Sequence, residues 1–361
     1  MSPRPILLAL ALLACSGAAF LFGRTTGEHD AARAIARHAA TPAIAKSTTP
    51  PKATPAKNAS GHGLMGLFGF GPLAPAQPES GDDTLPDIAA IPSYEDLLYD
   101  QPALVNEQVQ RLRPTSPGKV GLYALGFAGD AEENVFRNEV SFLPKLLTRR
   151  FDADGRTLQL VNSPYTFRTT PLATRTNLDK ALAGIAGRMD KANDILLLFL
   201  TSHGSHDHRV FVEMGSMPLD QLSPEDIRDA LDHAHITWRV VVISACYSGG
   251  FIPALREPHT MIITAARADR PSFGCGSDSQ LTWFGKAFLT QALNHTTDFH
   301  AAFVEAQRSI AQWEQRDHQK PSEPQFWEGP LIEGKLAAWR ASLPMTTAQV
   351  PFAPTPRHSL Q

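Results

Sequence analysis

The sequence predicts an α/β fold with a mainly parallel sheet flanked by helices, preceded by a disordered tether. Three observations predict it. From about residue 119 onward, segments of strand-like and helix-like periodicity alternate, which is typical of βαβ units. One segment, Ile195 to Leu200, is an unbroken apolar run, as expected of a central strand that is covered on both faces. Residues 24–90, by contrast, show neither period.

The elements are predicted in order along the chain. Short apolar runs rich in β-branched residues indicate strands over 119–125, 157–161, 195–200, 239–245 and 260–265. Apolar residues at helical spacing indicate helices over 135–147, 178–189, 223–231 and 299–313. Ser223 is the expected N-cap of the third helix because Pro224 and two acidic residues follow it. Pro144 lies inside the first helix, where a kink is expected.

The N-terminal segment 1–23 reads as an export signal. Ile6 to Leu13 is apolar. Its last two residues begin the run Leu-Leu-Ala-Cys at 12–15, which resembles a lipobox with Cys15 as the residue that receives the lipid. We therefore expect an exported lipoprotein of the periplasm or cell envelope that is tethered to the membrane. The alternatives are an uncut signal anchor over 6–23, giving a single-pass membrane protein, and a plain cleaved signal. Arg24 and later basic residues disfavour the anchor orientation.

Composition divides the rest of the chain. Residues 24–90 are rich in Ala and Pro and cannot bury enough apolar surface to offset their ordering entropy, so they are predicted to be a disordered linker. Its apolar interruption at 64–70 is interpreted as a sticky patch, with a docking motif as the alternative. Residues 91–345 fit one domain. Residues 346–361 are predicted to be a flexible tail.

Charge and cysteine content exclude several classes of protein. Lys and Arg total 33 against 36 Asp and Glu, a net charge of -3, so there is no basic field for binding nucleic acid. The three cysteines, at positions 15, 246 and 275, are too few for a disulfide scaffold and too widely spaced for a four-ligand zinc site. Cys275 is expected to have a packing role.

Two predicted strands end in residues that carry chemistry. His203 follows the strand at 195–200, and Cys246 follows the strand at 239–245. In a parallel sheet both side chains emerge at the carboxyl edge, where ligands bind. An imidazole and a thiolate are what nucleophilic attack on a carbonyl needs, and backbone N–H groups near Gly204 and Cys246 could receive the oxyanion.

These motifs resemble a known family. Thr-Ser-His-Gly-Ser at 201–205 and Ser-Ala-Cys-Tyr-Ser-Gly-Gly at 244–250, with their order and spacing, look like the bacterial branch of the legumain-type cysteine peptidases, family C13, within the caspase-like group. Residues 264–275 and the Ser-x-Pro-Gln element at 322–325 add to the likeness, which covers about 118–335. The resemblance implies a caspase-like three-layer sandwich and a cysteine-type endopeptidase that acts on peptides or proteins without metal or organic cofactor.

The resemblance also implies roles for five residues. Cys246 would be the nucleophile and His203 its general base or ion-pair partner. The N–H groups of Gly204 and Cys246 would form the oxyanion hole. Arg137 and Ser272 would line the pocket for the substrate residue that precedes the cleaved bond.

The pocket departs from the family pattern at three positions. Asn138 stands where legumains have a histidine, and Ser244 and Lys286 stand where they have acidic residues. A pocket that keeps its arginine and loses its carboxylates is expected to favour an acidic or polar, carbonyl-bearing side chain, because charge complementarity discriminates strongly.

Three other functions are compatible with the sequence. A binuclear metal hydrolase could use His203, His206, Asp207 and His208, but their spacing does not match that class and no distal ligand set is evident. A transamidase or peptide ligase would use the same dyad. A non-catalytic envelope binding protein could keep the fold without the activity.

Overall fold

A computed structural model of the chain describes residues 93–276, 278–344 and 348–355, which include a six-stranded sheet. The strand order is β2-β1-β3-β4-β5-β6; β1 to β5 are parallel and β6 pairs with β5 in the antiparallel sense. The strands are β1 (Leu122–Ala128), β2 (Thr157–Val161), β3 (Ile195–Thr201), β4 (Trp238–Ser244), β5 (Thr260–Thr264) and β6 (Gln325–Glu328). The predicted α/β fold with a mainly parallel sheet is confirmed.

Helices cover both faces of this sheet. One face packs against α2, the segments from α6 to α8, and α9, and the other against α1, α3, α4 and α5. The helices are α1 (Tyr94–Arg111), α2 (Asn134–Arg150), α3 (Arg175–Ala186), α4 (Pro224–His233), α5 (Ile252–Leu255), α6 (Trp283–Gly285), α7 (Leu293–His295), α8 (Phe299–Arg316) and α9 (Ile332–Ala341). A π-helical stretch, Lys286–Ala292, joins α6 to α7. The result is a three-layer sandwich.

The central strand β3 is fixed at its start by a buried carboxylate. All seven residues of β3 are buried, which explains their continuous apolar character. Asp194, just before the strand, accepts hydrogen bonds from Gly121 N–H at 2.6 Å and Thr115 Oγ1 at 2.9 Å. These bonds join the beginnings of β1 and β3 at the edge of the sheet opposite to the one where His203 emerges.

Two of the predicted helices are present, and one of them is longer than predicted. Ser223 caps α4 in a reciprocal capping box with Asp226, an arrangement that contributes about 1 kcal/mol. Helix α2 buries Val135 and Phe136 in its first turn and continues through Pro144 to Arg150. It therefore runs beyond the predicted end at 147 and spans the sheet beside β1 and β2.

Other parts of the chain differ from the sequence-based expectation or lie outside the description. Helices α1 and α9 and strand β6 were not predicted. The segment 346–361 is expected to be a flexible tail, whereas its described part, 348–355, packs along α2 through Phe352. The segment 1–23 with its predicted lipid-bearing Cys15, and the predicted linker at 24–90, lie outside the described residues. Within the described ranges, no helix is long and apolar enough to cross a membrane.

Candidate active site

The structure brings His203 and Cys246 to the same edge of the sheet. Strands β3 and β4 are neighbours, and their last residues, Thr201 and Ser244, lie directly opposite each other. Ser202 N–H donates to Ser244 O at 3.2 Å, which extends the pairing one residue further. His203 and Cys246 each follow two residues after a strand end, and both are half-buried. Since paired strands lie about 4.8 Å apart, the two residues follow neighbouring strand ends at one edge of the sheet.

Gly204 packs directly against the backbone of Cys246. A Cβ atom at position 204 would lie 2.2 Å from the carbonyl oxygen of Cys246, so only glycine fits. The backbone N–H groups of Gly204 and Cys246 are not used by any hydrogen bond among the described residues. Both groups are therefore open to an acceptor, as an oxyanion hole requires.

Three polar groups of Ser272 lie near the sulfur of Cys246. Its backbone N–H lies 3.3 Å from Sγ, and its hydroxyl and carbonyl oxygens each lie 3.6 Å away. Ser272 offers the sulfur a donor, its N–H group, and an acceptor, its carbonyl oxygen. The predicted pocket residue Ser272 thus contacts the predicted nucleophile itself.

The second described cysteine, Cys275, has a different environment. Burial raises the pKa of its thiol to about 11, and the nearby Cys246 adds to the rise. Cys275 also packs at the border of the core and forms no disulfide. It stays protonated at neutral pH and is a poor nucleophile.

Aromatic rings and carboxylates surround His203. Its ring meets Phe136 edge-on at 5.2 Å between centroids and lies 6.3 Å from Phe211. Burial raises the pKa of Glu133 and of Glu213, and the positive charge of His203 opposes both rises. The two carboxylates are thus close enough to His203 to interact with it electrostatically.

His206 and His208, which the sequence offered as metal ligands, contact the turn after Cys246 instead. Tyr247 has a left-handed backbone with φ 57, its hydroxyl lies 2.9 Å from His206 Nε2, and its carbonyl lies 3.2 Å from His208 Nδ1. Asp207 instead pairs with Arg209. In the described part of the chain, no group of three or more His, Cys, Asp or Glu side chains could hold a metal ion.

Arg137 lies on α2 and is almost completely covered. It is 1% exposed, its guanidinium lies over the Tyr165 ring at 4.7 Å, and its Nη2 donates to Thr355 O at 3.1 Å. The adjacent Asn138 accepts from Thr355 N–H at 3.1 Å and donates to Gln280 O at 3.0 Å. The tail therefore accepts a hydrogen bond from Arg137, which the resemblance assigns to the substrate pocket, and donates one to the neighbouring Asn138. Lys286 is placed against Trp313 instead.

The sequence reasoning missed Glu139, which lies fully buried behind the strand ends. Thr201 Oγ1 donates to its Oε2 at 2.7 Å, and the N–H and hydroxyl of Thr282 donate to its Oε1 at 2.8 and 2.7 Å. Burial raises the pKa of Glu139 to about 7, although these hydrogen bonds lower it. A charged residue on the apolar face of α2, beside Val135 and Val140, was the signal that could have revealed it.

Comparison with known proteins supports the family resemblance. Residues 177–333 match the Peptidase C13 family model, so this part of the chain is C13-like, and the match points to a cysteine peptidase. The matched segment contains His203, Gly204, Cys246 and Ser272, whereas Arg137 precedes it. No curated protein matches the chain significantly.

Proposed function

We propose that this chain, whose residues 177–333 match the Peptidase C13 family, is a cysteine-type endopeptidase that uses His203 and Cys246. The observation that carries the proposal is the neighbouring, in-register ends of β3 and β4, which present an imidazole and a thiol at one edge of the sheet. Gly204 N–H, Cys246 N–H and the Ser272 groups around Sγ support it, because they supply donors to an oxyanion and to a thiolate.

The reaction follows from these groups. The thiolate of Cys246 attacks the peptide carbonyl carbon, and the negative charge that develops on oxygen is received by the N–H groups of Gly204 and Cys246. The C–N bond then breaks, and the imidazolium of His203 gives its proton to the leaving amine. Water, deprotonated by His203, attacks the thioester carbonyl and releases the acid product. The sulfur leaves as the thiolate and His203 keeps the proton from water, which restores the starting pair.

Variants of the two described cysteines test the proposal. The full chain, Cys246→Ala, His203→Ala and the matched control Cys275→Ala are incubated with a proteome-derived peptide library, and the products are read by mass spectrometry. We expect no cleavage by Cys246→Ala, a loss of about 10² or more in His203→Ala, and cleavage retained by Cys275→Ala. Joined rather than hydrolysed products would identify a peptide ligase. Equal product profiles in native protein and Cys246→Ala would refute a cysteine mechanism.

Sensitivity to reagents separates the thiol mechanism from the metal hydrolase. Alkylation with iodoacetamide is expected to abolish cleavage, because it consumes the nucleophile, and EDTA is expected to leave cleavage intact. The opposite pattern, with activity lost to EDTA and kept after alkylation of Cys246, would contradict the dyad.

We also propose that the protein is exported and held at the membrane through a lipid on Cys15. The Leu-Leu-Ala-Cys run at 12–15 supports this, since it places a cysteine directly after an apolar stretch. Cells expressing the chain are labelled with radioactive palmitate and treated with globomycin. We expect label on the native chain and none on Cys15→Ser, with globomycin blocking processing. Membrane retention of an unlabelled, uncut chain would indicate the signal anchor instead.

A further inference from the structure

A single carboxylate joins three elements behind the candidate active site. Glu139 lies on α2, Thr201 is the last residue of β3, and Thr282 is the N-cap of α6. The three hydrogen bonds to Glu139 are all 2.8 Å or shorter, and the carboxyl is completely buried. A buried carboxylate is costly unless donors surround it, so these bonds fix the relative positions of the three elements.

The same network reaches the end of β4. Thr282 Oγ1 donates to Glu139 and accepts from Gly285 N–H at 2.9 Å, and Ser244 Oγ lies 3.3 Å from it. With the hydrogen of Thr282 directed at the carboxylate, Ser244 is the donor in the last bond. The carboxylate thus receives the hydroxyl of Thr201 directly and that of Ser244 through Thr282.

These two hydroxyls belong to an opposed pair. Thr201 and Ser244 face each other across β3 and β4, and each stands two residues before a member of the dyad. Gly285 packs against the carboxylate without room for a side chain, because a Cβ at this position would lie 2.1 Å from Glu139 Oε1. Neither step of the proposed reaction uses Glu139, so its burial at this point calls for another role.

We propose that Glu139 is a positioning residue: its carboxylate holds the ends of β3 and β4 at the spacing that aligns His203 with Cys246. This inference rests on the proposed function, because it assigns to Glu139 the support of that dyad. A misplacement of about 1 Å between reacting groups can cost about 10²-fold in rate, so a support of this kind acts on kcat.

Glu139→Gln tests the proposal because it keeps the size of the side chain and replaces one acceptor oxygen by a donor. We expect kcat to fall by about tenfold or more while KM changes by less than about twofold. Asp194→Asn is the matched control, since Asp194 is an equally buried acceptor of backbone and threonine hydrogen bonds at the opposite end of β3. It is expected to lower the melting temperature without lowering kcat.

The pH profile separates positioning from a merely structural role. Glu139 has a pKa of about 7, so kcat of the native enzyme is expected to carry an ionisation near that pH, which Glu139→Gln loses and Asp194→Asn keeps. Among the described residues, Glu139 helps to raise the pKa of the Cys275 thiol, on which Glu133 and Cys246 also act. A profile of Glu139→Gln identical to that of the native enzyme would overturn the proposal.

A readout without peptide substrate distinguishes the two proposals. The rate of Cys246 alkylation by iodoacetamide is followed against pH by peptide mass in the native chain, His203→Ala, Glu139→Gln and Thr201→Val. Thr201→Val removes one hydrogen bond to Glu139, so it tests the role of Glu139 even if Glu139→Gln does not fold. We expect all three variants to alter the pH dependence. No change in His203→Ala would reject the dyad, whereas a change there but in neither other variant would reject only the role of Glu139.

Discussion

Adding one methyl group at Gly204 is expected to disable the site while leaving the fold intact. The Cβ of Gly204→Ala would lie 2.2 Å from the Cys246 carbonyl oxygen and 3.1 Å from its carbon, where ordinary contacts begin at 3.4 Å. The two backbones must therefore separate by about 1 Å, and a displacement of that size costs about 10²-fold in kcat/KM. Overpacking of this kind also costs about 1–3 kcal/mol of stability, which a domain of this size tolerates.

The assay compares kcat/KM, Cys246 alkylation and melting temperature in Gly204→Ala and in a control. Gly334→Ala is the control because nothing lies within 4 Å of the added methyl group, and alanine in a helix is favoured over glycine by up to about 1 kcal/mol. We expect normal activity in the control. A folded Gly204→Ala with native kcat/KM would show that the contact between positions 204 and 246 does not set the reacting geometry, and the reasoning would fail.

Three further predictions concern Glu139 and the tail. Burial raises the folded pKa of Glu139 from 4.5 to about 7, so the folded state binds this proton more tightly than the unfolded state. From pH 4.5 to pH 8 the native chain should therefore lose about 3 kcal/mol of unfolding free energy relative to Glu139→Gln. Denaturant titration at the two pH values measures this loss, and an equal change in both proteins would contradict the pKa shift. Gly285→Ala, whose methyl group would lie 2.1 Å from Glu139 Oε1, should reproduce the kcat loss of Glu139→Gln; native kcat would argue against a tight fit. Deleting residues 348–361 removes the hydrogen bond from Arg137 to Thr355, so the rate of amide hydrogen exchange at the start of α2 should rise. The KM for peptides with an acidic side chain before the cleaved bond should fall. An unchanged KM would count against Arg137 as a pocket residue.

Strands β2 to β5 could be predicted to within a residue because their burial leaves a direct trace in the sequence. Strand β1 was predicted three residues too early, since it begins at Leu122 and ends at Ala128. Strand β3 is buried on both faces and therefore consists of apolar residues alone until Thr201. Helix α1 leaves no such trace, since only Leu97, Gln101 and Val105 are buried and Pro102 interrupts the pattern. Strand β6 is short and half-buried throughout, so it shows neither alternation nor an apolar run.

The site could be predicted only as far as strand ends determine it. His203 and Cys246 are fixed by strand position, and a parallel sheet places both at one edge whatever the details of packing. The contact of Ser272 with Sγ and the bonds of Thr282 to Glu139 depend on how the loop after β5 folds back, which no local pattern encodes. The tail at Arg137 is missed for the same reason, because its contacts join residues more than 200 positions apart.

The strand order explains why the carboxylate of Glu133, at the start of α2, acts on His203. The chain passes from β1 to β2 on one side and returns with β3 on the other, so the crevice between β1 and β3 opens where the strand order reverses, and His203 stands at its rim. Helix α2 begins just after β1, with Glu133 as its N-cap and with Arg137 and Glu139 in its first two turns. Of these charges, Glu133 acts on His203 and Arg137 is bound by Thr355. Arg137 could therefore meet an acidic substrate side chain only after the tail had left it. With the tail in place, the charged groups that act on His203 are the carboxylates of Glu133 and Glu213.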